Sequence, residues 1–301
     1  MKTRIKRFLK CFILLITVKS NVRPSLFHQI CLKTSIFLKY LFLNFLSDLQ
    51  NASSLAKLRH LKNQNLQRQA LVLGNGPSLV KLSFTKISSL QKKYLDVFVV
   101  NYFPLFQNIG GFKPNFLVLS DTGTMPSNSS ERTKKLWEWI RNNPSVTLCV
   151  PYYWRKEVEQ FTSNTIYFND SDLTGVFRNI NPLFPRSYAS LTAYKAMSIS
   201  IFLGYQKTYI LGIDNSNYRN LVFTPNNQVL QQPFHFEDYG LTTNFTQTLG
   251  FNAAKYFLDL AEILDDLELF KGYNILNLDT DSIIDTFEKV SDYSFLKNPP
   301  T

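Results

Sequence analysis

Acidic residues are almost missing from positions 1–69, where Asp48 stands alone against thirteen Lys and Arg. The whole chain carries a net charge of +11, so residues 70–301 are left close to neutral and the basicity belongs to one segment. Cysteine is equally sparse: Cys11, Cys31 and Cys149 are scattered and form no CxxC pair. That excludes a disulfide scaffold and a cysteine-based zinc site, and fits a reducing compartment. No internal repeat and no low-complexity tract occurs. Charged residues make up 18 % of the 301 positions against 45 % hydrophobic, which is the composition of a core-forming chain and not of a disordered one.

Long apolar runs are also lacking. A bilayer-spanning helix needs about 20 predominantly apolar residues. The run at 8–18 is too short, and the one at 26–46 is broken by Lys33 and Lys39. A basic start followed by an apolar stretch resembles a signal peptide, but no small-x-small cleavage site follows it. Aliphatic residues mixed with cations point to amphipathic helices lying on an anionic membrane surface. The alternative is a helical hairpin packed on the main domain with its lysines solvated. Nucleic acid is a poor partner for cations interleaved with aliphatics and lacking any recognition motif. The expected organisation is a basic membrane-associating segment at 1–69, peripheral on the cytoplasmic face of the membrane, followed by a catalytic domain at 70–301.

From residue 70 short apolar runs alternate with helical stretches. Strands are expected at 70–73, 96–100, 116–119, 146–150, 165–168, 208–212 and 274–278. Helices are expected at 131–142 and at 187–203, the latter opened by a serine cap and closed at Gly204. Buried strands alternating with helices imply an α/β fold: a Rossmann-like, mostly parallel sheet covered on both faces. Positions 215–240 are polar and lack an apolar period, as a lid or binding loop would.

In such sheets ligands bind beyond the carboxyl ends of the strands, and the informative motifs sit there. In LVLGNGPSL a buried strand runs into Gly74, Asn75 and Gly76, with Pro77 and Ser78 opening a helix whose free N–H groups suit a phosphate. It is neither a GxGxxG fingerprint nor a P-loop; the plainer reading is a strand-to-helix turn. Asn101 ends the next strand, Ser120 and Asp121 the one after, and Gly212 and Asp214 end TYILGID. Asparagine there can donate to and accept from a base or ribose. His235 is the one histidine outside the basic segment, and a polar loop beside a crevice suits a general base. The DxD at Asp279 and Asp281 could hold a divalent cation, but a cap of a helix running over 282–290 is the cheaper explanation, so no metal is expected.

GNGPSL, DVFVVN, FLGYQKTYILGID and the later HF, in that order, resemble the bacterial sialyltransferases of glycosyltransferase family 42. They are also similar to the MptE-like (6-hydroxymethylpterin diphosphokinase-like) proteins. The likeness runs from about 70 to 289. It implies a single GT-A-type domain with a lid, moving sialic acid or a related sugar from a CMP-activated donor to a cell-surface glycan or glycolipid, with inversion and without a metal or cofactor. Asn75 and Gly76 would sit by the donor phosphate and ribose, Asn101 by the nucleotide, and Thr192 by the donor, with a histidine, here His235, as base. The family has a phosphate-stabilising tyrosine where Ser216 stands, and Tyr218 or Tyr239 would replace it. The MptE-like alternative implies Mg²⁺-dependent diphosphate transfer with Asp121 and Asp214 as the acids. A third reading is a glycan-assembly binding protein without catalysis. Oligomeric state is left open.

Overall fold

A computed structural model of the chain describes residues 53–172, 178–214, 217–226, 229–231, 247–248, 253–293 and 296, with positions 35 and 38. The chain divides into two units, Met1–Gln50 and Asn51–Thr301, and the second carries the sheets. Its strands are β1 (Gln69–Leu73), β2 (Leu95–Val100), β3 (Phe116–Val118), β4 (Thr147–Pro151), β5 (Thr165–Phe168) and β6 (Lys207–Leu211), then β7 (Leu221–Phe223), β8 (Val229–Gln231), β9 (Gln247–Thr248), β10 (Ile275–Asn277) and β11 (Glu288–Lys289). Eight of them form one sheet in the order β11-β10-β6-β1-β2-β3-β4-β5, and every neighbouring pair is parallel. The fold is α/β and Rossmann-like.

Side-chain alternation builds a core on each face of this sheet. Leu71, Leu73, Val97 and Val99 point to the layer holding Ile87, Leu136 and Trp137. Ala70, Val72, Phe98 and Val100 point to the layer holding Tyr194, Met197 and Ile199. Covering helices on both faces explain why the inner strands are apolar throughout rather than alternating. The helix Thr192–Leu203 buries ten of its twelve residues and ends at Gly204, whose φ of 85° is left-handed. Glycine is required there, because a Cβ would collide with the backbone of Asn63.

Four expectations are corrected. The long helix begins at Thr192, not at 187, with Leu191 as its N-cap and no side-chain cap. The preceding N–H groups bond elsewhere, Arg186 to the Ser171 carbonyl and Ala189 to the Asp266 carboxylate at 2.6 Å. No helix follows the DxD: residues 280–287 are turns and bends that lead into β11. There Ser282 donates to the Asp214 carbonyl at 3.3 Å and accepts from Ile284 N–H at 3.2 Å. Within 215–240 the described part is not plain loop, since β7 and β8 pair antiparallel, and β9 beyond that range adds a third strand to their sheet. Leu-Val-Phe and Val-Leu pair across a turn at 225–226, as their β-propensity favours.

The α/β unit also starts before residue 70. A helix at 53–60 buries Leu55 and Leu58 in the two core layers. Ser54 Oγ accepts from Arg155 at 3.0 Å, and Asn63 N–H bonds the Phe202 carbonyl at 3.2 Å. Among the described residues no helix is long and apolar enough to cross a membrane.

Candidate functional site

The chain leaves β1 toward β2, β3, β4 and β5 on one side, then returns to place β6 on the other side of β1. The strand order reverses between β1 and β6, and the carboxyl ends of the strands at such a switch point are the default ligand position in doubly wound sheets. Gly74, Asn75, Gly76, Pro77 and Ser78 follow β1, while Gly212 and Asp214 follow β6. The two turns are locked together: Gly74 N–H bonds the Leu211 carbonyl at 2.8 Å and Gly76 N–H the Gly212 carbonyl at 2.9 Å. A side chain at Gly74 would strike the Gly212 carbonyl, and one at Gly76 would strike the Asp214 carboxylate.

Asp214, 6 % exposed, accepts from the Ser78 hydroxyl at 2.7 Å and lies 3.5 Å from Ser78 N–H. Those two donors therefore face a carboxylate of the chain itself. Pro77 opens a five-residue 3-10 helix, Pro77–Lys81, rather than an α-helix. Burial, followed by a hydrogen bond to the Asp279 carboxyl, pushes Asp214 up to about 7, against the opposing pull of Ser78. Asp279 is thus the partner of Asp214 and caps no helix. Its Oδ1 accepts from Asp281 N–H at 3.1 Å. The Asp281 carbonyl in turn accepts from Arg219 at 2.9 Å, and Arg219 Nε donates to the Tyr218 hydroxyl at 3.2 Å. Arg219 so ties the segment after β6 to the segment after β10.

Asn75 and Asn101 end the adjacent strands β1 and β2. The side-chain oxygen of each is withdrawn from solvent and receives no hydrogen bond from the described residues. Asn101 also holds a left-handed φ of 51°, an uncommon conformation outside glycine that concentrates at functional sites. Its backbone is fixed there by N–H donation to the Val118 carbonyl at 3.1 Å.

Beyond β3, Asp121 is exposed and its Oδ1 caps the turn Thr122–Thr124 by accepting from Gly123 N–H at 2.9 Å. Ser120 points the other way, 3.0 Å from the Thr192 hydroxyl. Beneath both lies Lys195, 1 % exposed. Its ammonium donates to Asp170 at 2.7 Å, Ser120 at 2.8 Å and Ser190 at 3.1 Å. Arg186 approaches the other oxygen of Asp170 at 3.0 Å. Burial pushes the Asp170 carboxyl up and the Lys195 ammonium down, while the pairing opposes both. With the permanently charged Arg186 on one carboxylate oxygen, the ionised arrangement gives each Lys195 proton an acceptor.

The fold thus gathers Asn75, Gly76, Pro77, Ser78, Asn101, Ser120, Asp121, Thr192, Gly212 and Asp214 along the carboxyl ends of β6, β1, β2 and β3. Tyr218 lies just beyond β6, bound to Arg219. His235, Ser216 and Tyr239 lie outside the described residues. Sequence reasoning missed Asp170, Arg186, Lys195 and Arg219, and it read Asp279 as a helix cap rather than as the partner of Asp214. The one available signal was Lys195 itself, a lone cation in an otherwise apolar and small-residue helix. Among the described residues no group of three or more His, Cys, Asp or Glu is placed to hold a metal ion. A cavity of about 800 Å³ lies at the opposite edge of the sheet, against Gln91, Lys113 and Asn115, and contains none of these residues. No family model and no curated protein sequence matches the chain.

Proposed function

We propose that the chain is a sialyltransferase-like glycosyltransferase that moves a sugar from a CMP-activated donor to a cell-surface glycan acceptor, with inversion and without a metal. The observation that carries this reading is the pair Asn75 and Asn101, whose unmet side-chain oxygens lie beyond the carboxyl ends of the adjacent strands β1 and β2. A buried acceptor left unpaired costs about 1–3 kcal/mol, which hydrogen bonds from a bound nucleotide would recover. In the proposed reaction the acceptor hydroxyl attacks the anomeric carbon of the donor. The bond from that carbon to the phosphate oxygen breaks, CMP leaves with the electron pair, and the acceptor proton passes to His235. Tyr218 donates to the leaving phosphate. The basic residues of Met1–Gln50, the unit that precedes the α/β unit, would hold the enzyme at an anionic membrane surface where a lipid-linked acceptor is available.

A second reading, Mg²⁺-dependent diphosphate transfer, is favoured by one observation, the contact between the Asp214 and Asp279 carboxyl groups. One assay separates the two. The full chain is incubated with CMP-sialic acid and a glycan acceptor in chelator, and CMP release is measured. Release that persists in chelator and is lost in His235→Ala supports the transferase. Turnover that appears only with Mg²⁺ and a nucleoside triphosphate supports the second reading and contradicts the first.

A further inference from the structure

The geometry points to Lys195 as a positioning residue that drives a hydrogen-bond relay, Lys195 to Ser120 to Thr192, ending in a hydroxyl that donates to a phosphate. The direction of the relay follows from counting protons. An ammonium only donates, so Ser120 Oγ is the acceptor of the 2.8 Å bond from Lys195. Ser120 must then place its own hydrogen, and among the described residues the acceptor within reach is the Thr192 hydroxyl at 3.0 Å. Thr192 accepts that hydrogen and is left with its own, for which the described protein offers no acceptor, although Thr192 is only 8 % exposed.

Two features make this hydrogen an anion donor. The cation at the far end polarises each hydroxyl in turn, and charge-assisted bonds are roughly twice as strong as neutral ones. Thr192 is also the first residue of a twelve-residue helix that lacks a side-chain cap, so it stands at the positive end of that helix. A phosphoryl oxygen at this point would answer both. The relay rests on the nucleotide-donor reading only for whose phosphate that is.

The test is equilibrium binding of CMP, cytidine and inorganic phosphate to the full chain and to Lys195→Met and Thr192→Val. The relay requires the wild type to bind CMP about tenfold or more tightly than cytidine. Both substitutions should bring that ratio to about one and leave cytidine affinity within about twofold, since a hydrogen bond to a charged group is worth about 1.5–3 kcal/mol, or ten- to a hundredfold. A lysine that merely stabilised the fold would change stability and leave the ratio alone, and an unchanged ratio in the variants overturns the proposal. If neither CMP nor cytidine binds, the donor reading fails and the phosphate arm decides the relay. Phosphate binding weakened about tenfold in both variants upholds it; no phosphate binding by the wild type, or equal binding by the variants, overturns it. Should Lys195→Met fail to fold, Thr192→Val, which removes only the last hydroxyl, decides between these outcomes.

Discussion

Replacing Asp214 with asparagine should flatten the pH dependence of stability. In the folded protein burial and the Asp279 carboxyl raise Asp214 from 3.8 to about 7. The unfolded chain releases this proton near the lower value and the folded chain near the higher one, so folding takes up a proton in between. Stability is therefore full below pH 4 and falls as pH rises toward 7. At about 1.4 kcal/mol per pH unit the loss is on the order of 4 kcal/mol, a large share of a domain's total stability. Asparagine keeps an oxygen for the Ser78 hydroxyl, which donates at 2.7 Å, and offers Asp279 an N–H in place of the shared proton. Urea unfolding at pH 4, 5, 6, 7 and 8 reads the effect through the midpoint at constant m. The wild type should lose on the order of 4 kcal/mol more than Asp214→Asn between pH 4 and pH 8. Equal pH dependence in the two proteins would refute the carboxyl pair as the source.

A chain beginning at Asn51 should stay folded, whereas one beginning at residue 67 loses Leu55 and Leu58 from the core and should melt many degrees lower, at about 2–5 kcal/mol for each lost leucine; equal melting curves would show that the 53–60 helix adds nothing. Gly74→Ala drives a methyl into the Gly212 carbonyl and should cost more than the about 1–3 kcal/mol of ordinary overpacking, read by denaturant midpoint. Asn101→Gly relieves the left-handed φ of 51°, so it should be as stable as the wild type or more so while losing affinity for CMP. Unchanged CMP binding in that variant would remove Asn101 from the site.

All seven expected strands are present, their ends displaced by no more than a residue or so, because strands buried on both faces read as continuous apolar runs. The helix start at Thr192 was not legible. Residues 187–191 have helix-compatible composition, and what keeps them out of the helix is long-range hydrogen bonding at and just before them, Arg186 N–H to the Ser171 carbonyl and Ala189 N–H to the Asp266 carboxylate. The two-residue strand β11 carries too little pattern to stand out from a capped helix. The carboxyl-edge asparagines were visible as strand-end residues. Lys195, Asp170 and Arg186 were not, since their meaning lies in long-range contact: Lys195 reaches Ser120 across 75 positions. Asp279 was misread for the same reason, its partner Asp214 following a strand far earlier in the chain.

The most direct measurement is a thermal-shift titration of the full chain with CMP, CDP, UDP, GDP, ATP and GTP, each with and without Mg²⁺. A ligand at about a hundred times its dissociation constant adds about 2.7 kcal/mol, a rise of roughly 5–10 °C for a domain of this size. The account predicts a shift with CMP that chelator does not abolish. A shift confined to ATP or GTP with Mg²⁺, or none with any of the six, would contradict it.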